Sequence, residues 1–143
     1  MTGYSLVSMS YSIKSLIALY EEHADPGKAA QMNAYMKGRF EYLGLPTPLR
    51  RELTKQFFKE NGLPGLQEVI PLVESCWEMP HREYKYFALE LLVKMKKQLG
   101  HDAIYLYEKL IPDQGWWDTV DLIAPTLVGY HLLQYPGERA AYV

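Results

Sequence analysis

The segment Gly115–Asp121 holds the residues whose types and spacing are best suited to chemistry. The adjacent Trp116 and Trp117 are followed by the carboxylates of Asp118 and Asp121. Asp118 is a favourable N-cap, and a helix that starts there has Asp121 in its first turn, where the helix dipole stabilises a negative charge. Trp117 and Asp121 are four residues apart and can share a helix face. An indole beside a fixed carboxylate suits a flat, cationic or sugar-like ligand.

The same segment also has a purely structural interpretation. Asp118 and Asp121 fit a variant of the capping box, and the two tryptophans would then belong to the core. Because acidic residues are common in the first turn of helices, spacing alone favours this structural interpretation over a binding site.

The composition is that of one globular domain with a sizeable core. The chain has 143 residues, of which 48% are hydrophobic and 22% charged. No apolar run approaches the ~20 residues of a membrane span, and no secretory signal is evident. The single cysteine, Cys76, lies in an apolar stretch, so we expect a buried thiol in a reducing cytoplasm. The histidines and this cysteine lack the spacing of metal ligands, and no metal is expected.

Basic residues are concentrated in one part of a nearly neutral chain. The formal net charge is −2, yet residues 28–59 contain seven basic and only two acidic residues. Such a segment can face the phosphates of a nucleic acid, or it can be an ordinary solvated surface. Charge alone leaves both interpretations open.

Apolar residues at helical spacing predict seven α-helices and no strands. Asp25 and Pro26 are strong start signals for the second helix, whose apolar stripe continues to Phe40. Thr47 is the expected N-cap of the third helix. The expected helices cover residues 12–23, 25–40, 48–61, 66–77, 81–99, 102–110 and 118–133.

Short turns rich in proline and glycine join these helices, so neighbouring helices should be antiparallel. Two architectures satisfy this pattern: a helical bundle, or an α-solenoid of degenerate HEAT-like repeats of ~40 residues. We expect residues 1–11 to be a poorly ordered lead and residues 12–143 to form the helical-repeat domain.

Three stretches resemble one known family in order and spacing. They are Ala34–Arg51, Arg82–Leu92 and Trp116–Asp121, and they are similar to the DNA alkylation repair glycosylases of the AlkD-like family. The resemblance implies an all-α fold in which HEAT-like repeats form a curved α-solenoid around double-stranded DNA. It implies a base excision repair enzyme, a cytoplasmic bacterial protein that acts at the nucleoid. It also implies hydrolysis of the N-glycosidic bond of N3- and N7-alkylated purines without a metal or cofactor.

The resemblance also implies roles for individual residues. Asp121 takes the position of the catalytic aspartate and Trp117 that of the catalytic tryptophan. Tyr35 takes the position of a tyrosine near the DNA. Trp116 is expected beside the DNA, although support of the core is an equal alternative. The basic residues expected at the DNA are Lys37, Arg39, Arg50 and Arg51.

The chemistry agrees with these residue types. Alkylation makes the purine cationic, so the base is a good leaving group that needs no general acid. An oxocarbenium-like sugar remains, as in glycoside cleavage. The Asp121 carboxylate can stabilise that cation and orient water, while the Trp117 indole can add a cation–π contact.

The chain departs from the family pattern in one respect. The pattern continues for several more helices, which carry an arginine and a further tryptophan at the active site, and no residue here takes those roles. We therefore expect a solenoid truncated at its C-terminus. The apolar flank at Leu127, Leu132 and Leu133 would be exposed or would pack against a second copy of the chain. A helical-repeat fragment that binds DNA or protein without catalysis is the alternative function.

Overall fold

The computed structural model describes residues 13–100, 103, 106 and 107. Five α-helices lie within residues 13–100, and no strand is formed there beyond an isolated bridge between Glu41 and His81. Residues 103, 106 and 107 are also helical. The all-α prediction is therefore confirmed for this part of the chain. The helices are α1 (Ile13–Glu22), α2 (Pro26–Tyr35), α3 (Thr47–Asn61), α4 (Leu66–Glu78) and α5 (Arg82–Met95).

The chain divides into two compact units, Met1–Phe87 and Ala88–Val143, and α5 contributes residues to both. The second unit buries apolar residues of α5 and of the helical residues that follow it. They include Leu91, Leu92, Met95, Leu106 and Tyr107. None of the described helices is long and apolar enough to cross a membrane.

Aromatic side chains form the core of the first unit. The ring of Tyr20 on α1 stacks on Tyr84 of α5 with centroids 5.6 Å apart. Phe57 of α3 meets Phe87 of α5 edge to face at 5.8 Å. The Tyr20 hydroxyl also hydrogen-bonds to the Thr54 hydroxyl at 2.6 Å. Because such ring pairs add about 0.5–1.5 kcal/mol beyond the burial of their area, this cluster ties three helices together.

The helix starts were predicted better than the helix ends. Asp25 caps α2 as expected, since its side chain accepts a hydrogen bond from the Lys28 N–H at 3.1 Å. The predicted N-cap of α3, Thr47, is instead its first helical residue. The N-cap is Pro46, so this helix start has no side-chain capping bond. The last helix that is fully described, α5, ends at Met95 instead of continuing to Leu99.

The largest difference concerns the end of α2. The helix was expected to carry its apolar stripe to Phe40, but it ends at Tyr35. Lys37 then has a φ of 59° and Gly38 a φ of 72°. The Gly38 N–H donates to the Asn33 carbonyl at 2.8 Å, which is the hydrogen bond of a Schellman ending. This local motif stops the helix although the apolar spacing continues.

Gly44 is required by a close backbone contact between its loop and the start of α2. Its φ is +94°, and a Cβ added there would collide with the Asp25 carbonyl and lie 2.9 Å from the Ala29 nitrogen. We expect Gly44→Ala to lower the free energy of unfolding by about 2–4 kcal/mol, from overpacking and from the left-handed conformation. Urea denaturation measures this change.

Gly62 is the matched control for that substitution. It also has a positive φ, 73°, but nothing lies within 4 Å of an added Cβ. Gly62→Ala should therefore cost only the conformational part, about 1–3 kcal/mol, and less than Gly44→Ala. Equal losses in the two variants would contradict the close contact at Gly44.

Candidate nucleic-acid interface

Part of the predicted site lies outside the described residues. Asp121, Trp117 and Trp116 fall there. The predicted apolar flank at Leu127, Leu132 and Leu133 and the lead at residues 1–11 fall there as well. The structure places the other predicted site residues: Tyr35, Lys37, Arg39, Arg50 and Arg51.

Three of the predicted contact residues share the turn that follows α2. We call the residues from Tyr35 to Arg39 the α2 turn. Tyr35 is 75% exposed, which agrees with its predicted position off the apolar stripe. Lys37 and Arg39 are also exposed. The turn therefore presents one aromatic ring and two cations to solvent, a combination that can stack on bases and contact phosphates.

The far end of the α2 turn is fixed by contacts to Phe40. The Asn33 side-chain N–H donates to the Phe40 carbonyl at 2.5 Å. The guanidinium of Arg82 lies over the Phe40 ring, with its Cζ 3.9 Å from the ring centroid. The Arg82 backbone N–H donates to the Glu41 carbonyl at 2.8 Å. The first residue of α5, Arg82, therefore fixes Phe40 and Glu41, the residues that directly follow the α2 turn.

A buried carboxylate holds the next loop, residues 43–45. Glu83 is 1% exposed, and its oxygens accept from the N–H groups of Leu43 at 2.9 Å, Gly44 at 3.0 Å and Leu45 at 3.2 Å. The Leu43 carbonyl accepts from the Asp25 N–H at 2.9 Å. One loop thus connects the starts of α2, α3 and α5.

The adjacent basic residues Arg50 and Arg51 have different environments. Arg51 is exposed. Arg50 is only 5% exposed, and its Cζ lies 5.2 Å from the centroid of the Tyr86 ring. The Tyr86 hydroxyl is 3.4 Å from that of Tyr42. A direct phosphate contact is therefore better suited to Arg51 than to Arg50, whose guanidinium lies buried over the Tyr86 ring.

The burial of three charged residues at the start of α5 was not predicted from the sequence. Arg82, Glu83 and Lys85 are all at most 3% exposed. The Lys85 ammonium donates to the Met79 carbonyl at 2.6 Å. The sequence feature that could have indicated this burial is the presence of three charged residues within four positions of a helix whose other residues are largely apolar.

The described residues offer little support for other chemistries. They contain no group of three metal-binding side chains. Cys76 is fully buried, as expected, and burial raises the pKa of its thiol to about 12. A protonated, inaccessible thiol is a poor nucleophile, so Cys76 is a core residue.

In the part of the chain that the structure describes, these features define an all-α fold with an exposed aromatic and basic turn. The chain belongs to the DNA alkylation repair enzyme family, whose family model matches residues 16–142. A comparison with curated proteins found no match.

One solved structure similar to this chain is described as a predicted DNA alkylation repair enzyme from Enterococcus faecalis. The two share 29% sequence identity with a TM-score of 0.70, and the match covers 80% of this chain. It covers 54% of that chain, so the present chain spans about half the length of the protein it resembles.

Proposed function

We propose that this protein is a DNA glycosylase that hydrolyses the N-glycosidic bond of alkylated purines. The observation that carries the proposal is the family match over residues 16–142, which includes the whole Trp116–Asp121 segment. Residues 115–121 combine the two groups that this chemistry needs, a carboxylate and an indole. We also propose that HEAT-like repeats form a curved solenoid along the duplex.

The proposed reaction assigns a separate role to each group. The C1′–N bond breaks as the cationic base leaves with the bonding electrons, and the sugar becomes an oxocarbenium-like cation. The Asp121 carboxylate stabilises this cation and accepts a proton from the water that attacks C1′. The Trp117 indole adds a cation–π contact, worth about 0.5–2 kcal/mol. Tyr35 and the exposed cations near it bind the DNA backbone.

The direct test is release of a free base from DNA. A duplex that contains N7-methylguanine is incubated with the chain, and with any longer form of the protein, and the released base is quantified. We expect release without added metal, in the presence of a chelator. Duplex binding without release would support the alternative function, a non-catalytic helical-repeat protein.

The dependence of duplex binding on salt tests the basic contacts. Each neutralised phosphate contributes a slope of about −0.9 to log K against log salt concentration, so Arg51→Ala should reduce the magnitude of the slope by about 0.9. Arg50→Gln should leave the slope unchanged because the Arg50 side chain is buried over Tyr86. Fluorescence anisotropy at several salt concentrations measures both.

Lys14→Ala is the control for a general effect of charge. Lys14 is an exposed cation on α1, outside the basic segment at residues 28–59. Its removal should not change the slope. A slope that responds to Arg50 and not to Arg51 would show that the assignment of the two arginines is wrong.

A further inference from the structure

The α2 turn is exposed, yet its backbone conformation is fixed by several specific interactions. Its backbone closes through Asn33, which accepts from the Gly38 N–H at 2.8 Å and donates to the Phe40 carbonyl at 2.5 Å. Lys37 occupies the left-handed region, with a φ of 59°, although it is not a glycine. A non-glycine residue keeps such a conformation only where the surrounding structure fixes it.

Phe40 connects this turn to the interior. Its ring is half-buried beneath the guanidinium of Arg82, at 3.9 Å from Cζ to the centroid. Arg82 is itself 1% exposed, so it cannot reach a bound duplex. A planar guanidinium can stack on an aromatic face, and this contact is strongest where water is excluded.

We infer that Arg82 is a positioning residue for DNA binding, which acts through Phe40 to fix the direction of Lys37 and Arg39. The inference rests on the proposed function, because it assumes that Lys37 and Arg39 contact DNA phosphates. A turn that is ordered before binding loses less conformational entropy in the complex. The Phe40–Arg82 contact therefore increases affinity without touching the ligand.

A double-mutant cycle on duplex affinity tests this coupling. Phe40→Leu keeps an apolar side chain but removes the ring face that Arg82 covers. It should weaken binding of a short duplex about 3- to 10-fold. In a background with Lys37→Ala and Arg39→Ala, the same substitution should have no further effect, because the cations that the contact positions are absent.

Phe57→Leu is the matched control variant. Phe57 is a buried phenylalanine of α3 that contacts Phe58 and Phe87. Its loss should lower stability while leaving duplex affinity unchanged in both backgrounds. This variant separates a general loss of stability from a local loss of positioning.

Amide hydrogen exchange gives a readout that does not depend on DNA. The Gly38 N–H closes the turn, so it should exchange faster in Phe40→Leu and at an unchanged rate, under native conditions, in Phe57→Leu. Faster exchange together with coupled affinities supports the inference. An equal loss of affinity in both backgrounds overturns the positioning role and leaves the proposed function standing. If the unmodified chain binds no duplex, the proposed function fails and the positioning role fails with it.

Discussion

Asp121→Asn is expected to slow release of N7-methylguanine by about 10²- to 10³-fold, the usual cost of removing a preorganised electrostatic group from an active site. Asparagine has nearly the same shape, but it carries no charge to stabilise an oxocarbenium-like sugar and cannot accept a proton from water. Single-turnover base release measures the change, with the enzyme in excess over the duplex so that binding and product release do not limit the rate.

Asp118→Asn is the matched control, since it removes a carboxylate from the same segment. Asparagine and aspartate are similarly good N-caps, so the control should fold and release the base at close to the original rate. Circular dichroism and duplex affinity should be unchanged in both variants. Equal rates of base release for Asp121→Asn and the unmodified protein would remove Asp121 from the mechanism. A larger loss of rate for Asp118→Asn would show that Asp118, and not Asp121, stabilises the oxocarbenium-like sugar.

The parts of the fold that could be predicted are those decided by neighbouring residues. Asp25 and Pro26 set the start of α2, and the left-handed Gly62 ends α3, because capping depends on only a few adjacent positions. The buried stripe of α5, which includes Tyr84 and Phe87, followed from helical spacing in the same way.

The parts that could not be predicted depend on residues distant in sequence. The position of Phe40 after the end of α2 depends on its contact with Arg82, which spacing does not encode. The burial of Arg50 depends on Tyr86 in the same way. Asp121 and Trp117 remain predictions, since they lie outside the described residues.

Glu83→Gln is expected to destabilise the first unit strongly. The carboxylate accepts from three backbone N–H groups, those of residues 43–45, and is 1% exposed. Glutamine offers one oxygen, and its amide N–H₂ would face the remaining donors. Since each buried donor left unsatisfied costs about 1–3 kcal/mol, we expect a loss of about 3–5 kcal/mol in the free energy of unfolding.

That loss is large against the total of about 5–15 kcal/mol that is typical of a domain, so the variant should unfold at a much lower urea concentration. Glu52→Gln is the control, because Glu52 is an exposed glutamate on α3 and should change stability by less than about 0.5 kcal/mol. Similar midpoints for the two variants would show that Glu83 does not hold the loop.

Combining Glu83→Gln with Gly44→Ala tests whether the two substitutions lower stability by disturbing the same loop or by independent effects. Both substitutions displace the same loop. Glu83→Gln removes hydrogen bonds to it, and the Cβ added by Gly44→Ala collides with the Asp25 carbonyl. Once one of them has displaced the loop, the other has less native structure left to disturb. The double variant should therefore lose less stability than the sum of the two single losses, whereas Glu83→Gln with Gly62→Ala should be additive within about 0.5 kcal/mol.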